Sequence, residues 1–124
     1  MPLEISTESP SELLASLKAS ATSSSKPSFA IIYATLTDGR SWCGDCRDAE
    51  PFVDRKFAEG EEAVKVVYAG QRDEWRKQDN PWKAAPFEIE ALPTLVKYTV
   101  DGNVEKLVEA GVYDQRKLDE FVGF

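Results

Sequence analysis

The chain holds two cysteines, Cys43 and Cys46, both within the stretch SWCGDCRDAEPF at residues 41–52. Two thiols at this spacing can carry two electrons. One thiolate attacks a target disulfide, and the other resolves the mixed disulfide that forms. Metal binding is the competing chemistry for a C-x-x-C pair, but zinc usually takes four ligands from Cys, His and carboxylate. The chain has no histidine, so a zinc site here would have to recruit carboxylates. The same absence excludes a histidine general base. Two buried, inert cysteines are the remaining alternative. If the pair reacts, the sulfurs must activate each other or draw on the field of the backbone.

The flanking elements supply that field. SFAIIYATL, 28–36, is a continuous apolar run rich in β-formers and reads as a central strand covered on both faces. TDGRS, 37–41, reads as a turn. A helix is expected from the cysteines to about Ala58, with Phe52, Val53 and Phe57 as apolar anchors and Pro51 inside it. Cys43 therefore stands at a helix start, where free N–H groups and the helix dipole stabilise a thiolate. Its pKa should fall below the free value, which makes it the nucleophile. Cys46 lies one turn further in and is the shielded, resolving thiol.

Upstream, Ser9-Pro10-Ser11-Glu12 carries helix-start signals, with Leu13, Leu14 and Leu17 as the apolar stripe. ATSSSK, 21–26, reads as a loop. AVKVVYAG, 63–70, is a second buried strand. Residues 71–90 mix charge, two prolines and two tryptophans around one short helix near 73–79. LPTLVKYTV and VEKLVEAG flank Asp101-Gly102-Asn103, a hairpin signal. Asp114 caps a last helix bearing Leu118, Phe121 and Val122. The order predicts an α/β fold, a mixed sheet with helices on both faces.

Length and composition fit one soluble domain spanning residues 1–124, with 42% hydrophobic and 30% charged residues. The net charge of −7 argues against nucleic acid and discourages acidic partners. No apolar run approaches the ~18 residues of a membrane span. The polar, acidic N-terminus does not look like a secretory signal, so a cytoplasmic, reducing setting is expected.

Strand, WCGDC, a helix with proline five residues after the second cysteine, and a distant LPTL before a hairpin together resemble the thioredoxin superfamily. Trp42, Cys43, Cys46, Pro51, Pro93 and Gly111 fall where thioredoxins carry matching residues. Within the superfamily, WCGDCRDAEP is most similar to the 14-kDa thioredoxin-related proteins, the thioredoxin domain-containing protein 17 family, which carry WCPDC followed by Ala-Glu-Pro. Gly44 departs from that family's proline.

The resemblance implies a thioredoxin-like fold and a thiol-disulfide oxidoreductase working through Cys43 and Cys46. Pro93 would follow a cis peptide bond and lie against the sulfurs, and the Leu92 backbone would pair with an extended substrate segment. Gly111 would admit the substrate closely, and Trp42 would cover one side of the pair. Pro93 as a plain strand-start proline and Gly111 as a simple turn glycine are the structural alternatives. No bound cofactor is expected; electrons would come from NADPH through thioredoxin reductase. Cystine-like or protein disulfides would be the substrates, and a monomer is expected. A general thioredoxin and a non-catalytic thioredoxin-fold interaction module are the competing functions.

Asp45 has two opposed effects on the thiolate. In the first helical turn it stabilises the helix by about 0.3–1 kcal/mol, while its charge tends to raise a nearby cysteine pKa. Gly44 and Asp45 are therefore read as tuning potential and rate. Thioredoxins place a buried aspartate in the strand before the motif, and FAIIYATL has no acid. Asp45 or Glu50 could substitute as acceptor of the Cys46 proton, with a solvated helix residue as the alternative for Glu50. Trp75, Trp82 and Phe87 either pack a small satellite core or wall the approach to the sulfurs.

Overall fold

The computed structural model describes residues 3–37, 39–58 and 64–123. Asp38 of the expected turn and Ala63 at the expected start of the second strand lie outside the described residues.

One five-stranded sheet organises the chain. Its strands are β1 (Leu3–Ile5), β2 (Ser28–Tyr33), β5 (Val64–Tyr68), β6 (Thr94–Tyr98) and β7 (Val104–Val108), in the order β1-β5-β2-β6-β7. β5 runs parallel to both β1 and β2, whereas β6 is antiparallel to β2 and to β7. All six residues of β2 are buried, as a strand covered on both faces requires.

Side-chain alternation along β2 decides which helix covers which face. Phe29, Ile31 and Tyr33 point one way. Phe57 of helix α2 (Gly44–Ala58) packs its ring 5.3 Å from that of Phe29. Lys97, opposite Phe29 in the β2–β6 register, donates to the Phe121 carbonyl of helix α4 (Gln115–Val122) at 2.9 Å. Lys56 and Asp119, paired at 2.9 Å, join α2 to α4 on this side. Ser28 points to the other face, where its hydroxyl donates to the Leu17 carbonyl of helix α1 (Pro10–Ser24) at 2.7 Å. The fold is therefore α/β, with a mixed sheet between helices.

Local signals set α1 as expected. The Ser9 hydroxyl accepts from the Glu12 N–H, and the Glu12 carboxylate accepts from the Ser9 N–H. The helix continues through Ser24, however, into the segment expected to be a loop. Ala21 is buried there, and packing overrides the weak helix propensity of the serines. Three further differences are physical. β2 stops at Tyr33, and a two-residue hairpin, β3 (Leu36–Thr37) with β4 (Arg40–Ser41), precedes the cysteines. β1 adds an edge strand too short for its alternation to register. The short helix α3 spans Arg72–Arg76, shifted toward β5 from its expected place.

Trp82 and Phe87 join the main core, their rings 5.9 Å apart, and each is at least nine-tenths buried. They form no separate satellite; each contributes about 1.5–3 kcal/mol of burial to the one core. Among the described residues, no helix is long and apolar enough to cross a membrane.

Candidate active site

Cys43 immediately precedes α2 and caps it. Its sulfur accepts the Cys46 N–H at 3.2 Å, while its carbonyl accepts the first helical hydrogen bond, from the Arg47 N–H at 3.1 Å. A sulfur in this position takes the place of the Ser or Asp oxygen that usually caps a helix. The hairpin β3–β4 delivers it there. Ser41, the last residue of β4, is buried, and its hydroxyl accepts the Cys43 N–H at 3.2 Å. The Arg47 guanidinium donates to the Ser41 carbonyl at 2.6 Å and ties the hairpin to the helix.

The two sulfurs are electrostatically unequal. The Cys46 thiol hydrogen-bonds the Cys43 sulfur and is the largest influence lowering the Cys43 pKa, from 9.0 to about 7. Partial burial and the Asp45 charge oppose this, while the Cys46 and Asp45 N–H groups assist it. Cys46 is fully buried. Its pKa is pushed far up, first by its hydrogen bond to Cys43 and then by burial. Near neutral pH Cys43 is therefore partly thiolate, while Cys46 stays a thiol.

Leu92 and Pro93 sit beside this thiolate, joined by a cis peptide bond. The Leu92 carbonyl lies 3.6 Å from the Cys43 sulfur and accepts from it when Cys43 is protonated. Trp42 lines a groove together with Cys43. Its indole N–H donates to the Gly70 carbonyl at 3.3 Å, fixing the ring against the end of β5. Gly111 is buried in a short 3₁₀ turn, Glu109–Gly111, where a Cβ would stand 2.7 Å from Leu107 Cδ1. Its small size is needed for that packing.

Gly44 and Asp45 occupy the first turn of α2. The Tyr113 hydroxyl donates to Asp45 Oδ1 at 2.9 Å and holds the carboxylate in place. Glu50 lies elsewhere. It lines a cavity on the sheet side of α2 that contains neither cysteine. Among the described residues, no carboxylate hydrogen-bonds Cys46. Neither acid considered for the Cys46 proton therefore hydrogen-bonds that thiol.

Two features escaped the sequence. The first is Arg72, whose guanidinium stacks over Trp42 at 5.4 Å. With Arg76 and Trp75 it walls an open groove of about 490 Å³ that also contains Trp42, Cys43, Gly44 and Asp45. Neither arginine has an ion pair among the described residues. The acidic net charge does not describe this surface, where two cations face one carboxylate. The second is Asn80, which anchors the wall. Its buried amide donates to the Ala69 and Glu74 carbonyls at 2.9 and 3.2 Å, and its Oδ1 accepts the Trp82 N–H at 3.0 Å. The dipeptide Asn80-Pro81 was the available signal, because Asn-Pro favours turn initiation.

Comparison with known proteins agrees with this geometry. Residues 7–123 match the family model for the thioredoxin domain of thioredoxin domain-containing protein 17-like proteins. A thioredoxin-like protein Clot from Arabidopsis thaliana is 40% identical over 93 residues, covering 71% of this chain and 69% of that one. The thioredoxin domain-containing protein 17 of Mus musculus is 36% identical over 76 residues, covering 60% of this chain and 58% of its own length. Among solved structures, a poplar thioredoxin h superposes with a TM-score of 0.64 at 19% identity, over 99% of this chain and 95% of that one. At that identity the likeness concerns the fold alone.

Proposed function

The chain belongs to the thioredoxin domain-containing protein 17-like family of thioredoxin-fold oxidoreductases, and from that premise we propose that it reduces small-molecule or selected protein disulfides through Cys43 and Cys46. The observation that carries this reading is the Cys46 N–H resting 3.2 Å from the Cys43 sulfur, an arrangement in which the Cys43 pKa is lowered and the Cys46 pKa raised.

The Cys43 thiolate attacks one sulfur of the target, forming a Cys43–substrate disulfide and expelling the first substrate thiolate. That step removes the thiolate from Cys43. The chief influence holding Cys46 protonated goes with it, and only burial remains to oppose ionisation. Cys46 then gives up its proton and attacks the Cys43 sulfur. The second substrate thiol leaves, and the Cys43–Cys46 disulfide forms. Two electrons have passed to the substrate, and the leaving thiolates take up two protons, one given up by Cys46 and one from solvent. Regeneration needs two electrons from outside, which we assign to NADPH through thioredoxin reductase. We assign the chain to a reducing, cytoplasmic setting, where a dithiol stays reduced, and read it as a monomer.

The groove supports restricted range over general thioredoxin activity. Trp42, Trp75, Arg72 and Arg76 crowd one side of Cys43, so a disulfide on a thin or extended segment reaches the sulfur more readily than one on a bulky surface. Cys46→Ser tests the reading. After exposure to cystine, the variant should accumulate a cysteine adduct on Cys43, visible by mass spectrometry, because resolution is blocked. An adduct that never forms would support the non-catalytic interaction module instead.

A further inference from the structure

A second cavity, of about 320 Å³, lies between α2 and the β1-β5-β2 side of the sheet and shares no residue with the groove at Cys43. It has a closed apolar floor and an open rim. Ile31 and Val53 are fully buried, Tyr33 is 5% exposed, and Ile5 at the outer edge is 68% exposed. Glu50 and Asp54 lie four residues apart on α2 and so share one helix face; both line the cavity, together with Tyr33 and Tyr68. Among the described residues, no lysine or arginine does.

Three features leave this space unfinished as a piece of core. The Tyr33 hydroxyl is buried and has no hydrogen-bond partner among the described residues. Buried polar groups are almost always hydrogen-bonded, so this one calls for an explanation. Glu50 and Asp54 have no ion pair among the described residues. Burial holds both carboxyls above their usual range; at Glu50 the Asp54 charge adds to it and Arg47 opposes it. Their charge borders the apolar floor, with Glu50 half-buried and Asp54 exposed at the rim.

We propose that this cavity binds a small organic cation, a primary ammonium on a short unbranched alkyl stem. An ammonium has three donors and no acceptor. The two carboxylates and the Tyr33 hydroxyl oxygen are the matching acceptors, and the phenol rings suit a cation. The stem would lie on Ile31, Val53 and Val66. A bare divalent ion fits poorly: calcium takes six to eight oxygens and magnesium an octahedron of them, and no metal-holding group occurs among the described residues. The volume lies at the small end of the range for ligand pockets, ~300–1,000 Å³.

The test is a heteronuclear NMR titration of the reduced chain with n-pentylamine, 1-pentanol and pentanoate. The amine should give saturable shifts at Tyr33, Glu50, Asp54 and Tyr68, with affinity at least tenfold above that of the alcohol, and pentanoate should not bind. The double variant Glu50→Gln/Asp54→Asn should weaken the amine at least tenfold. Its changes are isosteric and the helix stays intact, which the undisturbed spectrum would verify. Tyr33→Phe should weaken the amine severalfold. Cys43→Ser should bind it as the parent does, so the outcome is independent of the redox reading. Equal binding of amine and alcohol, shifts confined to Trp42 and Cys43, or unchanged affinity in the double variant would each overturn the proposal.

Discussion

Replacing Cys46 by alanine should raise the Cys43 midpoint by about one pH unit, whereas Cys46→Ser should leave it near its present value of about 7. The drop from 9.0 to about 7 corresponds to ~2.7 kcal/mol at 1.36 kcal/mol per pH unit. Cys43 is partly open to solvent, and screening reduces the energy the surrounding groups deliver there to about 1–2 kcal/mol. The Cys46 thiol is the largest contributor, and the N–H groups of Cys46 and Asp45 survive either substitution. Alanine removes the thiol donor, the largest of these contributions, so that most of this energy and about one pH unit is lost; serine keeps a donor in the same place. The rate at one pH would hide this. If the midpoint moves from about 7 to about 8, the thiolate fraction at pH 7 falls about fivefold, but the more basic thiolate is intrinsically about threefold more reactive. The assay is therefore a full profile from pH 5 to 10, reading thiolate absorbance together with the alkylation rate of the single remaining cysteine. An alanine variant that still titrates at about 7 would refute the assignment and leave the helix terminus as the sole source of acidity.

Asp45→Asn should lower the Cys43 midpoint by a few tenths, because it removes a charge that raises the pKa and keeps the backbone N–H that lowers it; thiolate absorbance checks this, and a rise would contradict it. The double variant Arg72→Gln/Arg76→Gln should slow reduction of dianionic 3,3′-dithiodipropionate severalfold while sparing dicationic cystamine, and the difference should shrink with added salt; equal slowing of both would mean the arginines only pack. Tyr33→Phe removes a buried hydroxyl without a partner, so at neutral pH it should stabilise the fold by up to about 1 kcal/mol, or about 4 °C in Tm. Burial raises the Tyr33 pKa well above its usual 10.0, so the stability from keeping it neutral is complete below pH 10 and declines as pH rises beyond that. The phenylalanine variant should lose less stability in alkali, and destabilisation at neutral pH would show that the hydroxyl is partnered.

The parts legible in the sequence are those with local causes. SFAIIY is a run of β-formers between turns, Ser9 and Glu12 cap each other within one helical turn, and the cysteines follow a strand and open a helix. Each of these is settled within about ten residues. What stayed hidden is long-range. Tyr113 meets Asp45 across 68 positions, and Trp42 meets the Gly70 carbonyl across 28. β1 is three residues long and exists because β5 offers it an edge. Net charge misled for a related reason, since a chain total says nothing about where two arginines come to rest. Glu50 was considered as a substitute for the acid missing from FAIIYATL, yet it lines the cavity beside Tyr33 rather than hydrogen-bonding Cys46.

The most direct test of the Cys43–Cys46 dithiol as a turning-over reductase is NADPH consumption in the presence of thioredoxin reductase, this chain and cystine. Consumption should scale with the concentration of the chain, vanish in Cys43→Ser, and remain much slower when insulin replaces cystine. Consumption by the parent chain no faster than by Cys43→Ser would contradict the account.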